Sequence, residues 1–399
     1  MDRHRRLSIL AEAAFADRED GLRARAVGMR PVRLPGGGQT TIMRVMQTNV
    51  CSLACAYCPL RRGARIPRVT LAPEEVATTF MEAQRAGLAQ GLFLTSGVPG
   101  RGVRGVDRML ATLDILRRRE RFTGYIHIKL LPGADEAQVE EATRLANRVS
   151  INLEAPADRH VRALARDKDF AGDLLPKLEQ AGRLDRAAAL ERRPGTMRPA
   201  GTTTQFVVGG ADERDREILG LVERLERARL LHHAHFSAFQ PVAATPMDGR
   251  RPTPYMRELR LYQAEHLMRG YGFRLEELVF EATGDLPLDQ DPKTVWAVAH
   301  PEHFPLEVMT APYDLLLRVP GVGPASARTI VTERRRATLR GVADLRKLGV
   351  DTTRAGHYLA LRGRRLLPAL PAQQLRLFRH EDWFHDAPWR TAVPPCAFR

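Results

Sequence analysis

The stretch that decides the fold of this chain reads Thr48-Asn49-Val50-Cys51-Ser52-Leu53-Ala54-Cys55-Ala56-Tyr57-Cys58-Pro59. The chain has 399 residues and four cysteines, and three of those cysteines fall within eight positions here. Such close spacing is typical of metal ligation rather than of disulfide bonding. Three thiolates can hold three irons of a cubane 4Fe–4S cluster, and the fourth iron then stays open to another ligand. The spacing therefore predicts a cluster bound by Cys51, Cys55 and Cys58.

From about residue 41 onward, short apolar segments typical of strands alternate with segments that have a helical pattern. The predicted strands are Ile42–Met46, Gly91–Leu94, Tyr125–Leu130, Val149–Leu153, Thr203–Val208 and His235–Phe239. The predicted helices between them include Pro73–Ala86, Asp107–Arg118, Asp135–Asn147 and Glu213–Arg229. Six β/α units in this order indicate an α/β fold with a parallel sheet and right-handed crossovers. Because a complete barrel needs eight units, we expect a partial (β/α)6 TIM-like barrel.

The cysteine spacing, C-x3-C-x-aromatic-C directly after the first strand, resembles the signature of the radical S-adenosylmethionine (SAM) superfamily. That resemblance implies an enzyme with two cofactors, a 4Fe–4S cluster and SAM. It implies that the open iron chelates SAM and that one electron cleaves SAM to a 5′-deoxyadenosyl radical. The alternative is a structural zinc site, which normally needs a fourth Cys or His. Cys396 is the remaining cysteine, and it lies in the C-terminal tail.

The same resemblance implies residues that contact SAM at the carboxyl ends of the strands. They are Tyr57, Ser96, Gly97, Asn152, Glu154, Val208 and Gly210. Tyr57 stands at the position that packs near the adenine, and Thr95-Ser96-Gly97 stands where the superfamily usually carries Gly-Gly-Glu. Asn152 and Glu154 alternate on one face of a strand, and the alternative for them is polar filling of the barrel interior. His232, His233 and His235 lie at a strand start, so we expect no metal there.

A second resemblance lies near the C-terminus, where Leu315–Ile330 is similar to a helix-hairpin-helix element. The expected DNA-binding residues are Gly321, Val322, Gly323, Ala325, Arg328, Arg334 and Arg335. Free amides at the start of the second helix and nearby arginines would contact phosphates. The formal net charge is +15, and residues 315–365 hold twelve Lys/Arg against three Asp/Glu. The alternative is a hairpin that serves only packing or protein contact. Asp344–Val350 is a candidate for a second, degenerate copy.

Four segments follow from these patterns. They are an N-terminal helix and connector (1–40), the barrel (41–280), a helical basic domain (281–365) that we expect to be all-α, and an irregular tail (366–399).

The combination of a radical SAM motif with a helix-hairpin-helix element resembles radical SAM proteins assigned to DNA modification or repair. That resemblance implies three partners, namely DNA held without sequence specificity, a low-potential electron donor such as a flavodoxin or ferredoxin, and a uracil-DNA-glycosylase-like protein. The alternatives are an RNA-modifying enzyme and a non-catalytic iron–sulfur DNA-binding protein. Without a signal peptide or an apolar span, we expect a cytoplasmic location.

Overall fold

The structure, a computed structural model, describes residues 2–14, 28–33, 39–191, 199–336 and 339–369. The expected glycine-rich end of the connector at residues 36–38, Cys396 and most of the expected tail lie outside these residues. The first part of the chain contains α1 (Arg3–Ala13), β1 (Met29–Arg33), β2 (Gln39–Met46), α2 (Pro73–Arg85), β3 (Gly91–Thr95), α3 (Val103–Asp114), β4 (Tyr125–Lys129), α4 (Glu136–Leu145), β5 (Arg148–Ser150), α5 (Asp158–Leu164), α6 (Leu175–Leu190), β6 (Thr202–Val208), α7 (Asp215–Arg227) and β7 (His233–Ala238).

The seven strands form one curled half-barrel sheet in the order β1 to β7. Strands β2 to β7 pair in parallel, each with the next one along the chain. Six parallel strands joined by helical connections confirm the α/β class and the partial barrel. The predicted strands all lie in this sheet, with boundaries shifted by a few residues.

Strand β1 was missed, because its residues were assigned to the N-terminal connector. It pairs antiparallel with β2, and Pro31 faces Thr41 in the register. Proline cannot donate to a neighbouring strand, so within sheets it is confined to edges and bulges. Among the residues that the structure describes, β1 is the first strand of the sheet and pairs only with β2, and such an edge position tolerates Pro31. Because Pro31 interrupts the strand pattern, the sequence did not indicate a strand here.

The two faces of the sheet differ in chemistry. On the helix side, strand residues such as Leu92, Leu94, Ile126 and Ile128 are fully buried, which matches their apolar alternation. On the inner side, the neighbouring strands β4 to β7 carry mostly polar side chains, with Val207 as an apolar exception. These polar residues are His127, Lys129, Ser150, Thr203, Gln205, His233, His235 and Ser237. The inner face of this half of the sheet is therefore polar.

The chain divides into two compact units. The described residues of Met1–Glu213 and Arg224–Thr253 form one, and those of Arg214–Glu223 and Pro254–Ala387 form the other. The second unit thus begins before residue 281, where the sequence suggested a boundary. Beyond β7 the elements are α8 (Tyr255–Tyr271), α9 (Pro292–Ala299), β8 (Leu306–Glu307), α10 (Tyr313–Leu316), α11 (Pro324–Glu333), α12 (Val342–Lys347), α13 (Thr352–Ala355), β9 (Leu359–Leu361) and β10 (Arg364–Arg365).

The expectation of an all-α domain over 281–365 is wrong. Strands β8, β9 and β10 form a small three-stranded sheet, with β9 in the centre. Leu359 and Leu361 are buried in it. A short apolar run of three residues cannot be distinguished from a buried helical turn by periodicity alone, which is why the sheet was not predicted. Among the described helices, none combines the length and the apolar character required to cross a membrane.

Candidate functional site

The three clustered cysteines lie in the loop that leaves the carboxyl end of β2. Cys55 is buried, whereas Cys51 and Cys58 are partly exposed. Barrel enzymes place their chemistry at this end of the strands, so the position fits a reactive centre. Three thiols in one loop are also the donor set that a cubane cluster takes.

The loop after β3 holds the cysteine loop from one side. The amide of Gly97 donates to the carbonyl of Thr48 at 2.7 Å, and the amide of Ser52 donates to the carbonyl of Val98 at 2.8 Å. A Cβ atom on Gly97 would overlap the carbonyl oxygen of Val50. Gly97, one of the expected SAM contacts, is therefore in direct contact with the cysteine loop.

Arg68 holds the far side of the same loop. Its guanidinium donates to the carbonyl oxygens of Leu60 at 2.9 Å and Arg61 at 2.8 Å, and it also contacts the carbonyls of Asn49 and Ala64. A planar group with five donors suits such a task, and lysine cannot reproduce it. The sequence offered no signal for this residue, because arginine is abundant throughout the chain.

The cysteine loop is also held by contacts with the segment that follows β5. The amide of Ala54 donates to Asp167 Oδ2 at 2.7 Å, and the amide of Ala56 donates to the carbonyl of Leu164 at 2.7 Å. Both donors flank Cys55. The cysteine loop is thus tied to three separate parts of the barrel before any cofactor is considered.

Tyr57 and Glu154, two of the expected SAM contacts, touch each other. The Tyr57 hydroxyl donates to Glu154 Oε2 at 2.9 Å, and Lys168 Nζ donates to Glu154 Oε1 at 2.6 Å. Glu154 has a left-handed backbone, with φ of 65°. Burial alone would raise the pKa of Glu154, but the Lys168 charge and hydrogen bond hold it below its ordinary value. Burial and the neighbouring Glu154 charge raise the pKa of Tyr57 well above its ordinary value.

Burial also acts on the thiols. It raises the pKa of Cys55, and together with the Cys55 charge it raises the pKa of Cys58 to about 12. A thiol with a raised pKa stays protonated at neutral pH until a metal displaces the proton. In the part of the chain that the structure describes, no three His, Cys, Asp or Glu side chains surround a single metal-ion position. A cubane takes its thiolates on different irons, so its ligands are not required to converge on one point.

Polar side chains continue from this site into the barrel interior. Gln205 Oε1 accepts from Lys129 Nζ at 3.1 Å and from Asn152 Nδ2 at 3.4 Å, and Gln205 Nε2 donates to Ser237 Oγ at 2.9 Å. The Asn152 Oδ1 and Ser96 Oγ atoms are buried, and neither has a hydrogen-bond partner among the described residues. Buried polar atoms normally find partners, so these two fit contacts to a bound ligand.

The carboxyl end of β6 and the turn after it hold two more of the expected SAM contacts, Val208 and Gly210. Val208 is fully buried, and its carbonyl accepts from the Phe239 amide at 2.8 Å. A Cβ atom on Gly210 would lie 2.7 Å from Leu164 Cδ2, so this glycine permits close packing. Glu213 accepts from the amides of Gly209 and Ala211 and thereby closes the turn. At β7, the His233 and His235 rings meet edge to face, with centroids 4.7 Å apart.

In the second unit, the predicted hairpin joins α10 to α11. Gly321 has a φ of 84°, and a Cβ there would lie 2.6 Å from the carbonyl oxygen of Asp351. Helices α12 and α13 form a second helix–turn–helix pair beside it. The Asp351 amide donates to the Gly321 carbonyl at 3.0 Å, and Ser326 Oγ donates to the Gly349 carbonyl at 2.6 Å. The two turns therefore support each other.

The basic residues near this hairpin divide into two groups. Arg328 and Arg335, two of the expected phosphate contacts, are exposed, as are Arg336 and Ala325. Arg334 is different, because its guanidinium donates to the carbonyls of Val308 at 2.9 Å and Ala311 at 2.7 Å. This side chain therefore anchors the end of α11. Its role as a phosphate contact stays a prediction.

Lys293 lies beneath the hairpin and was not predicted as a site residue. Its Nζ donates to the carbonyl of Val322 at 2.6 Å and lies 4.6 Å from the centre of the Tyr271 ring. Burial lowers the pKa of Lys293 to about 7, and the nearby Arg354 charge adds to this effect. The hairpin thus rests on a buried amine.

Comparison with known proteins gives one family. The family model of the radical SAM superfamily matches residues 45–225. A 7,8-didemethyl-8-hydroxy-5-deazariboflavin synthase from Methanosarcina mazei is 28% identical over 238 residues, which are 53% of this chain and 62% of that protein. This chain therefore spans about three fifths of the length of that relative.

Two solved structures are also similar. Methylornithine synthase has a TM-score of 0.45 and 18% identity, covering 57% of this chain and 61% of that one. A FeFe-hydrogenase maturase from Carboxydothermus hydrogenoformans has a TM-score of 0.45 and 15% identity, covering 57% and 51%. The region of this chain that is similar to the radical SAM superfamily, whose members use a 4Fe–4S cluster and SAM, is thus residues 45–225, which include the three-cysteine loop.

Proposed function

We propose that this chain is a radical SAM enzyme that modifies or repairs DNA. The observation that carries the proposal is the exposed basic group Arg328, Arg335 and Arg336 on and after α11, in a segment with twelve Lys/Arg and three Asp/Glu. Positive charge concentrated on one element is the electrostatic footprint of a nucleic-acid-binding protein. Residues 45–225 of the same chain match the radical SAM family model, so one polypeptide would supply both the radical chemistry and the DNA contacts.

The cofactor side of the proposal rests on the cysteine loop. Cys51, Cys55 and Cys58 would hold the cluster, while Arg68 and Asp167 keep the loop in place. When bound, the cluster and SAM supply a 5′-deoxyadenosyl radical that abstracts hydrogen from an unactivated carbon. The electron would come from a low-potential donor such as a flavodoxin or ferredoxin. A uracil-DNA-glycosylase-like partner stays a prediction.

The DNA side of the proposal rests on phosphate chemistry. Helix α11 has ten residues, and its first-turn amides at Ala325 and Ser326 have no acceptor within the helix. A helix N-terminus attracts anions, and the exposed arginines add charge beside it. Contacts of this type hold the backbone and do not read bases, so the proposal predicts affinity without sequence specificity.

The barrel interior supplies the substrate contacts of the proposal. Interiors of such barrels are usually filled by branched apolar residues. Here Lys129, Asn152 and Gln205 lie on the inner face and are linked to one another. Amine and amide groups of this kind can hydrogen-bond the edges of a base or the hydroxyl groups of a sugar. A nucleotide must leave the base stack to reach such a site, so we expect flipped or single-stranded DNA as the substrate.

Anaerobic reconstitution with a panel of damaged and undamaged DNAs tests the proposal. We expect DNA-dependent formation of 5′-deoxyadenosine, deuterium transfer from labelled DNA into it, and salt-dependent DNA binding. Stronger binding and turnover with tRNA at matched salt would favour RNA modification. Turnover with a small heterocycle and no effect of DNA would favour an activity closer to that of the deazariboflavin synthase. If dithionite yields no 5′-deoxyadenosine, the cluster is structural and the enzyme assignment fails.

A further inference from the structure

A buried ion pair lies beside the cysteine loop. Lys168 Nζ and Glu154 Oε1 are 2.6 Å apart, and their side chains are 9% and 2% exposed. Removing two charges from water is expensive, and a hydrophobic pair of similar volume is often as stable. An ion pair in this position therefore suggests a task other than stability.

Two contacts fix the pair relative to the cysteines. The hydroxyl of Tyr57, which stands between Cys55 and Cys58, donates to the second Glu154 oxygen at 2.9 Å. Asp167, the residue before Lys168, accepts from the amide of Ala54 at 2.7 Å. Each member of the pair is thus connected to the metal-binding loop by a short route.

The two charges act on the loop with opposite signs. Lys168 places a positive charge and Glu154 a negative charge beside the loop, and the Tyr57 hydroxyl of the loop donates directly to Glu154. Fixed charges in a buried, low-dielectric region act more strongly than charges in water. The potentials of iron–sulfur clusters depend on nearby net charge and hydrogen bonding. A charge that stabilises a thiolate also stabilises the reduced, more negative state of a cluster.

We propose that the Glu154–Lys168 pair sets the reduction potential of the cluster held by Cys51, Cys55 and Cys58. Lys168 favours the reduced state, Glu154 disfavours it, and the intact pair holds the potential between these two limits. The step concerned is the uptake of one electron from an external low-potential donor, and no bond forms or breaks in it. The inference rests on the cluster assignment of the proposed function and is independent of the DNA substrate.

If the pair has this role, replacing Lys168 and replacing Glu154 should shift the midpoint potential of the cluster in opposite directions. Lys168→Met should lower the midpoint potential, because it removes the positive charge that is hydrogen-bonded to Glu154. Glu154→Gln should raise it, because Lys168 is then uncompensated, while the amide oxygen can still accept from Tyr57. We expect each to change the one-electron reduction equilibrium at least tenfold, which is about 59 mV. The double variant should return close to the potential of the unmodified protein.

The experiment is a dithionite titration of the reconstituted full chain, monitored by electron paramagnetic resonance. Lys168→Arg keeps the charge and should stay near the original potential. Arg166→Met is the matched control, because it removes an equal charge from the same loop at a side chain that is 72% exposed. Solvent and salt screen an exposed charge, so we expect little shift.

Shifts of both single variants in the same direction, or no shift in either, would overturn the inference. If one single variant fails to retain its cluster, the direction of the potential shift in the other variant tests the inference. A shift opposite to the one expected for that variant, or no shift, overturns it. A double variant displaced as far as either single variant also contradicts the role. If the unmodified chain binds no 4Fe–4S cluster, the cysteine assignment fails together with this inference. An intact cluster with unresponsive variants disproves the inference alone.

Discussion

Gly97 and Val50 approach each other so closely that a Cβ atom on the glycine would overlap the Val50 carbonyl oxygen. Val50 immediately precedes Cys51, so the absence of a side chain at Gly97 fixes where the metal-binding loop can lie. The contact joins the loops that follow two neighbouring parallel strands.

The first prediction concerns Gly97→Ala. The added methyl group must displace the Val50 carbonyl, which should cost about 1–3 kcal/mol of the free energy of unfolding and reduce cluster occupancy. Iron and sulfide content after anaerobic reconstitution measures the occupancy, and chemical denaturation measures the stability. Gly249→Ala is the matched control, because among the described residues no atom beyond its two chain neighbours lies within 4 Å of the position of its Cβ. Equal iron content in the two variants would contradict the prediction.

The second prediction concerns the support given by Arg68. Arg68→Lys keeps the positive charge but cannot reach all of the carbonyls that the guanidinium contacts. We expect a loss of about 1–3 kcal/mol from the groups left unsatisfied and faster amide exchange in residues 60–64. Hydrogen–deuterium exchange measures the second effect. Arg62→Lys changes an exposed arginine of the same loop and should leave exchange unaltered.

The third prediction separates two neighbouring arginines. Arg335→Ala should weaken DNA binding and reduce the slope of log affinity against log salt by about one unit, with no loss of stability. Arg334→Ala should leave the slope unchanged and lower the free energy of unfolding by about 1–3 kcal/mol, since two carbonyls lose their donor. Binding titrations at several salt concentrations and urea unfolding provide the measurements. Identical slopes in both variants would count against the DNA proposal.

The fourth prediction concerns pH and Lys293. Its pKa is about 7 in the folded chain, below the ordinary 10.5, so between these values the unfolded state binds more protons. Stability should therefore rise as pH increases from about 7 to 10. The rise should reach a few kcal/mol and disappear in Lys293→Met.

Several charged groups surround this amine, namely Arg354, Asp291 and Arg318, so the comparison of variants is needed to isolate it. Urea unfolding of the full chain at several pH values is the measurement. Lys347→Met removes an exposed lysine of α12 and should keep the rise. If the free energy of unfolding of Lys293→Met still rises with pH, the rise comes from a group other than Lys293.

The sequence predicted the parallel strands and the cysteine loop well, because both leave local patterns. Alternating apolar residues define each strand, and three cysteines in one loop need no long-range information. Strand β1 escaped because Pro31 interrupts its pattern, and β9 escaped because three residues carry too little periodicity. Local pattern fails where an element is short or lies at an edge.

The contacts around the site could not be predicted, because they join residues distant in the chain. Arg68, Asp167 and Lys168 act on the cysteine loop only once the barrel has formed. One signal was nevertheless present. The chain has only five lysines among many arginines, and three of them, Lys129, Lys168 and Lys293, are buried and hydrogen-bonded. In a chain whose basic residues are mostly arginines, a lysine therefore indicates a position that suits a compact amine.

Position 154 combines two costs, a buried carboxylate and a left-handed backbone with φ of 65°. A residue with a side chain pays about 1–3 kcal/mol for such a conformation, and glycine avoids it. A glycine at this position would relieve the backbone strain and at the same time abolish the ion pair. In a library of variants, selection for thermal resistance and selection for turnover should therefore enrich different residues at position 154, which makes it a site of stability–activity trade-off.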